Sequence, residues 1–295
     1  MNLVGLMPAR NEDWILGLSA RVALLWCDRL VILNHASTDN TESIVRKLQS
    51  ECGEDRVQLM ADSEPTWNEM DHRQRMLGWA RANATETGAT HVAIIDADEI
   101  LTGNLIDGVR DQVARLDRRT MLCLPGYNLR GGLNRYHLNG VWGQRWFSTA
   151  FRDSNEAHWK GDTFHHREPL GVAWLRYKPV NQGAGGVLHL WGANERRLVA
   201  KHALYKCTEA LRWPGKPKKL IDTEYSLAIR GRPWIGDASA SWTFTNVPEA
   251  WWKPYASLMN HLRLDAVPWQ EEEVRRLVAE HGRERFVGLD LFGVD

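Results

Sequence analysis

The chain has 295 residues, enough for one large domain or two lobes with a sizeable core, and its 37 basic and 37 acidic side chains cancel. A protein without net charge has no global field to draw it to nucleic acid or to a membrane surface, so any polyanion partner must meet a local patch. The four cysteines, Cys27, Cys52, Cys123 and Cys207, lie far apart with no Cys-x-x-Cys spacing, which excludes a zinc knuckle or disulfide framework and points to a reducing compartment. No apolar run approaches the 18 or so residues of a membrane span, and the opening residues lack the basic and apolar regions of a signal peptide. The expectation is a soluble, cytoplasmic protein.

Leu3 to Met7 reads as a buried strand, followed by the loop Pro8-Ala-Arg-Asn11. Asn11 stands where a helix N-cap would, with Glu12 and Asp13 behind it and Ile15, Leu18, Val22 and Leu25 at helical spacing. Arg29 to Leu33 gives a second strand. Asn34 to Asp39 then leads into a helix burying Ile44, Val45 and Leu48, and Asp39 with Glu42 fits a capping box. A third strand, Arg56 to Met60, precedes a helix from about Asn68 with Met70, Leu77, Ala80 and Ala84 on one side. The apolar run His91 to Ile95 comes next and ends in Asp96-Ala-Asp-Glu99. A helix started by Asn104 with Asp107 behind it, marked by Leu105, Val109, Val113 and Leu116, and a fifth strand over Met121 to Leu124 complete a βαβαβαβαβ order. That order predicts an α/β fold with a doubly wound, mostly parallel sheet.

Beyond Pro125 the pattern changes. Short aromatic and polar segments such as Val141 to Phe147 read as antiparallel strands and loops, and all tryptophans except Trp14, Trp26, Trp67 and Trp79 lie after residue 140. Gly186 to Trp191 reads as a strand, and Asn194 to about Trp213 as a helix. The basic linker Pro214 to Lys219 follows, and further helices are expected over Glu249 to Leu262 and Gln270 to Phe286. The predicted organisation is an α/β core over residues 1–125 and a mixed α+β half over residues 126–295.

The acidic end of the fourth strand carries the chemistry. Ligands of open α/β sheets sit outside the carboxyl ends of the strands, and strand alternation turns Asp96 and Asp98 to one side as hard oxygen donors suited to Mg2+ or Mn2+. A solvated acidic turn is the competing reading of so short a motif.

With Pro8-Ala-Arg-Asn-Glu12, Ser37-Thr-Asp-Asn-Thr41 and Asp96-Ala-Asp-Glu99 in this order, the chain resembles the family 2 glycosyltransferases of the GT-A type over roughly its first 125 residues. The resemblance implies transfer of a sugar from a nucleotide-sugar donor to a hydroxyl, with Mn2+ or Mg2+ at the donor diphosphate. It implies Asp98 as the principal metal ligand, Asp96 toward the ribose, and Pro8, Ala9, Arg10 and Glu12 around base and ribose, beside Ala97. Arg73 matches a basic position near the nucleotide, although a solvated helix arginine is the plain alternative. Relatives often carry a paired acid before the Ser-Thr-Asp turn, where this chain has Asn34-His35; the Asn34 amide oxygen can still accept a base N–H, which keeps a UDP-sugar first. The family's metal-completing histidine in the second half corresponds to His189, which otherwise reads as a core residue.

An inverting transferase also needs a carboxylate to take the acceptor's proton. Gly161-Asp-Thr-Phe-His-His-Arg-Glu168 is the densest ionisable cluster of the second half, and because relatives often place a His-Glu or Glu-Asp pair in this region the resemblance implies Glu168 as the base, with Asp162 in reserve; a salt-bridged loop is the alternative. Arg196, Arg197, Lys201 and His202 are candidates to meet the departing diphosphate. Trp142, Trp146, Trp159, Trp174 and Trp191 could stack on a sugar or a base. The linker lysines leave a hydroxymethylated DNA base open as acceptor beside the favoured glycan or protein hydroxyl. A nucleotidyltransferase would want a glycine-rich loop after the first strand, which Pro8-Ala-Arg-Asn11 is not, and a non-catalytic carbohydrate- or nucleic-acid-binding module leaves the ordered motifs unexplained.

Overall fold

The computed structural model describes residues 1–83, 90–143, 145–161, 167–178, 184–230 and 242–295. In chain order its elements are β1 (Leu3–Ala9), α1 (Leu16–Ala23), β2 (Arg29–His35), α2 (Thr41–Cys52), β3 (Val57–Asp62), α3 (Glu69–Asn83), β4 (His91–Ile94), β5 (Glu99–Leu101), α4 (Ile106–Ala114), β6 (Thr120–Asn128), β7 (Arg135–His137) and β8 (Arg145–Arg152). There follow β9 (Trp174–Tyr177), β10 (Val187–His189), α5 (Glu195–Arg212), α6 (Lys218–Arg230), β11 (Phe244–Asn246), α7 (Glu249–Trp252) and α8 (Gln270–His281).

The expected α/β sheet is present. Its strand order is β3-β2-β1-β4-β8-β6-β10-β5, with β9 beside β6. The β1, β2, β3 and β4 pairings are parallel, with Ala9 opposite Asn34 where β1 and β2 end together. The strand expected over Met121 to Leu124 extends over β6, and β8 lies between it and β4, antiparallel to both. Ser148, Thr149, Ala150 and Phe151 are buried on both faces, so this stretch of β8 fills a central place, whereas its first residues Arg145 and Trp146 stay exposed. The strand expected over Val141 to Phe147 accordingly runs Arg145–Arg152.

Two compact units divide the chain: residues 1–126, 145–188 and 248–263, and residues 127–144, 189–247 and 264–295. In the first unit one sheet face packs Leu3, Met7, Leu30 and Ile32 against Leu16 and Ala20 of α1, Val45 and Leu48 of α2, and Val109 and Val113 of α4. The other face packs Val4, Leu6, Val31 and Leu33 against Met70, Met76, Leu77 and Ala80 of α3. The second unit packs Ala203, Leu204 and Cys207 of α5 on Val274 and Leu277 of α8, with Phe286, Leu291 and Val294. There Lys206 is fully buried, its ammonium donating to Asp222 Oδ1, Ser226 Oγ and the Asp290 carbonyl at 2.7, 2.8 and 2.7 Å. Three donors meet three acceptors, so the charge is satisfied where it lies.

Several helix starts differ from the sequence reading because side chains found other partners. Asn11 does not cap α1: it sits at φ +53° and its amide oxygen accepts the Thr38 and Asp39 N–H groups at 2.7 and 3.3 Å. Asp39 likewise forms no capping box with Glu42. Its two oxygens take the N–H groups of Thr41 and Asp13, while Glu42 turns to Arg46. Interlocked in this way, the loops after β1 and β2 hold each other. The helix expected over Glu249 to Leu262 tightens to a 3-10 helix from Lys253, where Pro254 lacks an N–H, and α8 stops at Gly282, φ +80°.

Candidate active site

At the end of β4 the chain turns sharply: Glu99 N–H donates to the Asp96 carbonyl at 2.9 Å, and Asp96 N–H to Glu99 Oε2 at 3.2 Å. Two guanidinium groups hold the acids of this turn. Arg73, on α3, donates to Asp96 Oδ1 at 2.7 Å and through two nitrogens to Glu69 Oε1 at 2.9 and 2.7 Å. Arg167 donates to Asp96 Oδ2 at 3.1 Å and Glu99 Oε1 at 2.7 Å. Its other nitrogens reach the Ile94 and Ser148 carbonyls, both at 2.7 Å. Burial raises the Asp96 carboxyl, but Arg73 and then Arg167 outweigh it and hold the group down to about 2. Burial pushes the Glu69 carboxyl up.

The expected site residues on this turn are thus gathered, and their roles separate. Asp96 spends both oxygens on arginines, and Asp98, two residues on, is buried at 6% exposure. Among the described residues no three His, Cys, Asp or Glu side chains form a metal cluster. That donor set still fits a divalent cation of the kind that takes one or two protein carboxylates and completes its shell with substrate phosphates and water.

The ends of β1 and β2 form the adjoining wall. Pro8 and Ala9 are buried; Arg10 donates to the Pro65 carbonyl at 2.9 Å; Glu12 accepts the Trp14 indole N–H at 2.6 Å. Asn34 is 5% exposed and donates weakly to Glu42 at 3.4 Å. Its Oδ1 is buried without a hydrogen-bond partner, as is Nη1 of Arg73. Each of these orphans is a group that a polar ligand would satisfy.

Three residues to which the sequence reading gave no part lie here. The rings of His35, Trp67 and His72 touch one another, with centroids 4.5 to 5.3 Å apart. His35 Nε2 meets the Glu64 carbonyl at 2.7 Å, so that nitrogen carries the proton and Nδ1 is left bare. Burial, then Arg10, lowers the His35 pKa; burial, then His35, brings His72 to about 4. Both rings are neutral at pH 7. An aromatic after Pro65 and a histidine four residues before Met76 carry no motif, and only the fold brings them beside β2.

Glu168 is exposed, and its Oε1 accepts the Ser148 hydroxyl at 2.7 Å. Its neighbour Arg167 ties the same segment to the acidic turn, a part that the cluster's composition did not single out. Asp162, with His165 and His166, lies outside the described residues.

In the second unit, His189 Nδ1 lies 3.0 Å from Asn128 Oδ1. The Asn128 amide is oriented by two other bonds, its Nδ2 donating to the Trp142 carbonyl at 2.8 Å and its Oδ1 accepting the Trp191 indole at 3.1 Å. The oxygen therefore faces the imidazole, which places the proton on Nδ1 and the lone pair on Nε2. A metal-ligating histidine is held in this way. The basic residues of α5 have structural engagements instead: Arg196 pairs with Glu271 at 2.5 and 2.8 Å, buried Arg197 donates to the Ala266 carbonyl, and buried His202 bonds the Leu198 carbonyl. Lys201 lies 6.0 Å from the Tyr205 ring centroid. Among the described residues no helix is long and apolar enough to cross a membrane.

No family model matches the chain, and no curated protein matches it. Solved structures resemble it in outline. S. aureus TarS, residues 1–349, is 12% identical over 97% of this chain and 90% of its own, with a TM-score of 0.43. GalNAc-T7, crystallised with UDP, GalNAc and Mn2+, is 12% identical over 95% of this chain and 58% of its own, at 0.40. The mannosyltransferase PcManGT from Pyrobaculum calidifontis, in complex with GDP-Man and Mn2+, is 14% identical over 95% and 86%, at 0.37. With TM-scores below 0.5, none of these likenesses assigns a donor, a metal or a catalytic group in this chain.

Proposed function

We propose that this chain is a metal-dependent, inverting glycosyltransferase that moves a sugar from a nucleotide-sugar donor to a hydroxyl. The observation that carries the reading is the acidic turn at the carboxyl end of β4, where Arg73 and Arg167 hold Asp96 as the anion and buried Asp98 lies two residues on. Two arginines beside three acids, Glu69, Asp96 and Glu99, leave the cluster anionic before Asp98 is counted. Such a site favours a cation.

A bound Mn2+ or Mg2+ would neutralise the donor's diphosphate as the glycosidic bond breaks. Asp98 would be its carboxylate ligand, and the family resemblance gives His189 as the histidine ligand. Asp96, held as the anion, accepts from the ribose side. Pro8, Ala9, Arg10, Glu12 and Ala97 line base and ribose, and the bare Asn34 Oδ1 takes an N–H of the base, so a UDP-sugar comes first. Arg73 would offer Nη1, which carries its two unbonded N–H groups, to the donor.

Glu168 acts as the general base, with Asp162 in reserve. The acceptor oxygen bonds to the anomeric carbon as the bond from that carbon to the diphosphate oxygen breaks. The electron pair leaves with the diphosphate, and the acceptor's proton passes to Glu168. Attack opposite the leaving group inverts the centre. The Ser148 hydroxyl, donating to Oε1, steers the carboxylate without consuming its second oxygen. The experiment is a hydrolysis and transfer screen of sugar nucleotides with Mn2+, run beside Glu168→Gln. Turnover of no donor, or full transfer by Glu168→Gln, would defeat the reading.

A further inference from the structure

The first unit exposes an unusual pair of rings. Trp146 on β8 and Tyr177 on β9 are 45% and 54% exposed, and their centroids lie 5.5 Å apart in an edge-to-face arrangement. Strand register fixes the face they occupy. Ser148 and Tyr177 both stand opposite Cys123, and Trp146 stands opposite Pro125, two residues on. Side chains alternate along a strand, so Trp146, Ser148 and Tyr177 share one face. The intervening Arg176 points the other way, where it meets the Arg115 carbonyl beyond α4. Ser148 is the residue that holds Glu168.

We infer that Trp146 and Tyr177 form a stacking platform for a pyranose ring of a carbohydrate acceptor, beside the carboxylate that takes its proton. This rests on the reading of Glu168 as the general base. The indole is fixed, because its N–H already donates to the Lys178 carbonyl at 2.9 Å; its polar atom is satisfied and its ring face is what remains to offer. The C–H face of a sugar ring complements the negative face of an aromatic ring. Trp146 and Ser148 are separated by about 7 Å of strand, the reach of one pyranose with its hydroxyl. A ring lying on the indole would therefore extend a hydroxyl toward Glu168. An apolar protein partner fits less well: the two rings with half-exposed Leu175 on the same face offer on the order of 300 Å², against about 800 Å² per partner in a stable interface.

The test is binding of the full chain to a printed glycan array and, in solution, to the best-bound oligosaccharide, with and without UDP and Mn2+. Wild type should retain at least one class of pyranoside. Trp146→Ala and Tyr177→Ala should each lose about tenfold or more, and Tyr177→Phe, which keeps the ring, should lose less than threefold. UDP and Mn2+ affinity, measured on the same preparations, should stay unchanged and reports folding as well. No glycan bound by wild type under any of these conditions, or binding indifferent to both alanine variants, overturns the platform. Loss of UDP and Mn2+ binding in wild type would instead sink the transferase reading, while glycan binding lost on Trp146→Ala would still support the platform.

Discussion

Arg167 Nη1 lies 2.7 Å from Glu99 Oε1, so a segment distant in sequence is bolted to the acidic turn one residue before the candidate base. The guanidinium bonds Asp96, Glu99 and two backbone carbonyls at once. Its removal leaves buried Glu99 without that partner. Arg167→Ala should destabilise by about 3 to 5 kcal/mol, the range for breaking a buried pair from one side. Arg167→Lys, keeping one charge-assisted bond, should recover part of this. Urea unfolding of the three proteins measures it, and equal stability of wild type and alanine variant would remove the bolt from the account.

Asp98 should behave differently. It is the proposed metal ligand, so Asp98→Ala should fold and lose metal-dependent donor affinity. UDP binding with Mn2+ should fall by at least the 10 to 100-fold typical of weaker perturbations around a metal, to the level seen with chelator. Calorimetric titration reads this directly; a folded variant with unaltered Mn2+ dependence would make the acidic turn structural.

For His189 the tautomer offers a graded test. His189→Ala should weaken Mn2+ binding by about 10 to 100-fold, and Asn128→Leu, which removes the acceptor orienting the ring, should do so to a lesser degree. Electron paramagnetic titration of free Mn2+ measures both. If His189→Ala unfolds while Asp98→Ala does not, the ring is there for packing with Trp191, whose centroid is 5.7 Å away.

The histidines beside β2 set an acid limit. Burial lowers His72 to about 4 from an ordinary 6.5. Between these values the unfolded chain binds the extra proton and the folded one does not, so the contribution to stability is complete above about 6.5 and declines as pH falls toward 4. Asp96, held to about 2, adds loss only below its ordinary 3.8. The melting temperature should therefore fall between pH 6.5 and 4, and less so in His72→Gln. An NMR titration placing His72 near 6.5 would contradict the geometry.

The parallel half of the sheet and the acidic turn were legible because apolar runs and a run of carboxylates are local signals. Asp96 and Asp98 stand in such a run, whereas Asn34 and Arg73 are reached only through the family resemblance. Other features come from pairing at long range. β8 enters between β4 and β6 through register that no neighbouring residue announces, and that insertion brings Ser148 to Glu168 and Arg167 to Asp96. Asn11 failed as a cap for the same reason, since Thr38 and Asp39 compete for its oxygen from another loop.

The acceptor decides the final prediction. The basic stretch after α5 held open a DNA substrate, yet its Lys216 is bonded to Glu209 and Glu224 at 2.5 and 2.7 Å, and Lys218 and Lys219 begin α6. A lysine already paired with two carboxylates gives little to a phosphate. On the carbohydrate reading, hydroxymethylcytosine DNA should bind no more tightly than plain DNA, and replacing Lys216, Lys218 and Lys219 by alanine should change the logarithmic salt slope by less than about one unit. Three phosphate contacts would instead shift it by about 2.7. Lys216→Ala should still lower stability, by up to about 1 kcal/mol, because it strips a partly exposed pair. Fluorescence anisotropy across a salt series, with mass analysis of the digested DNA after incubation with mixed sugar nucleotides, distinguishes the two. A hexose adduct on the modified base together with the steeper slope would move the acceptor from glycan to DNA.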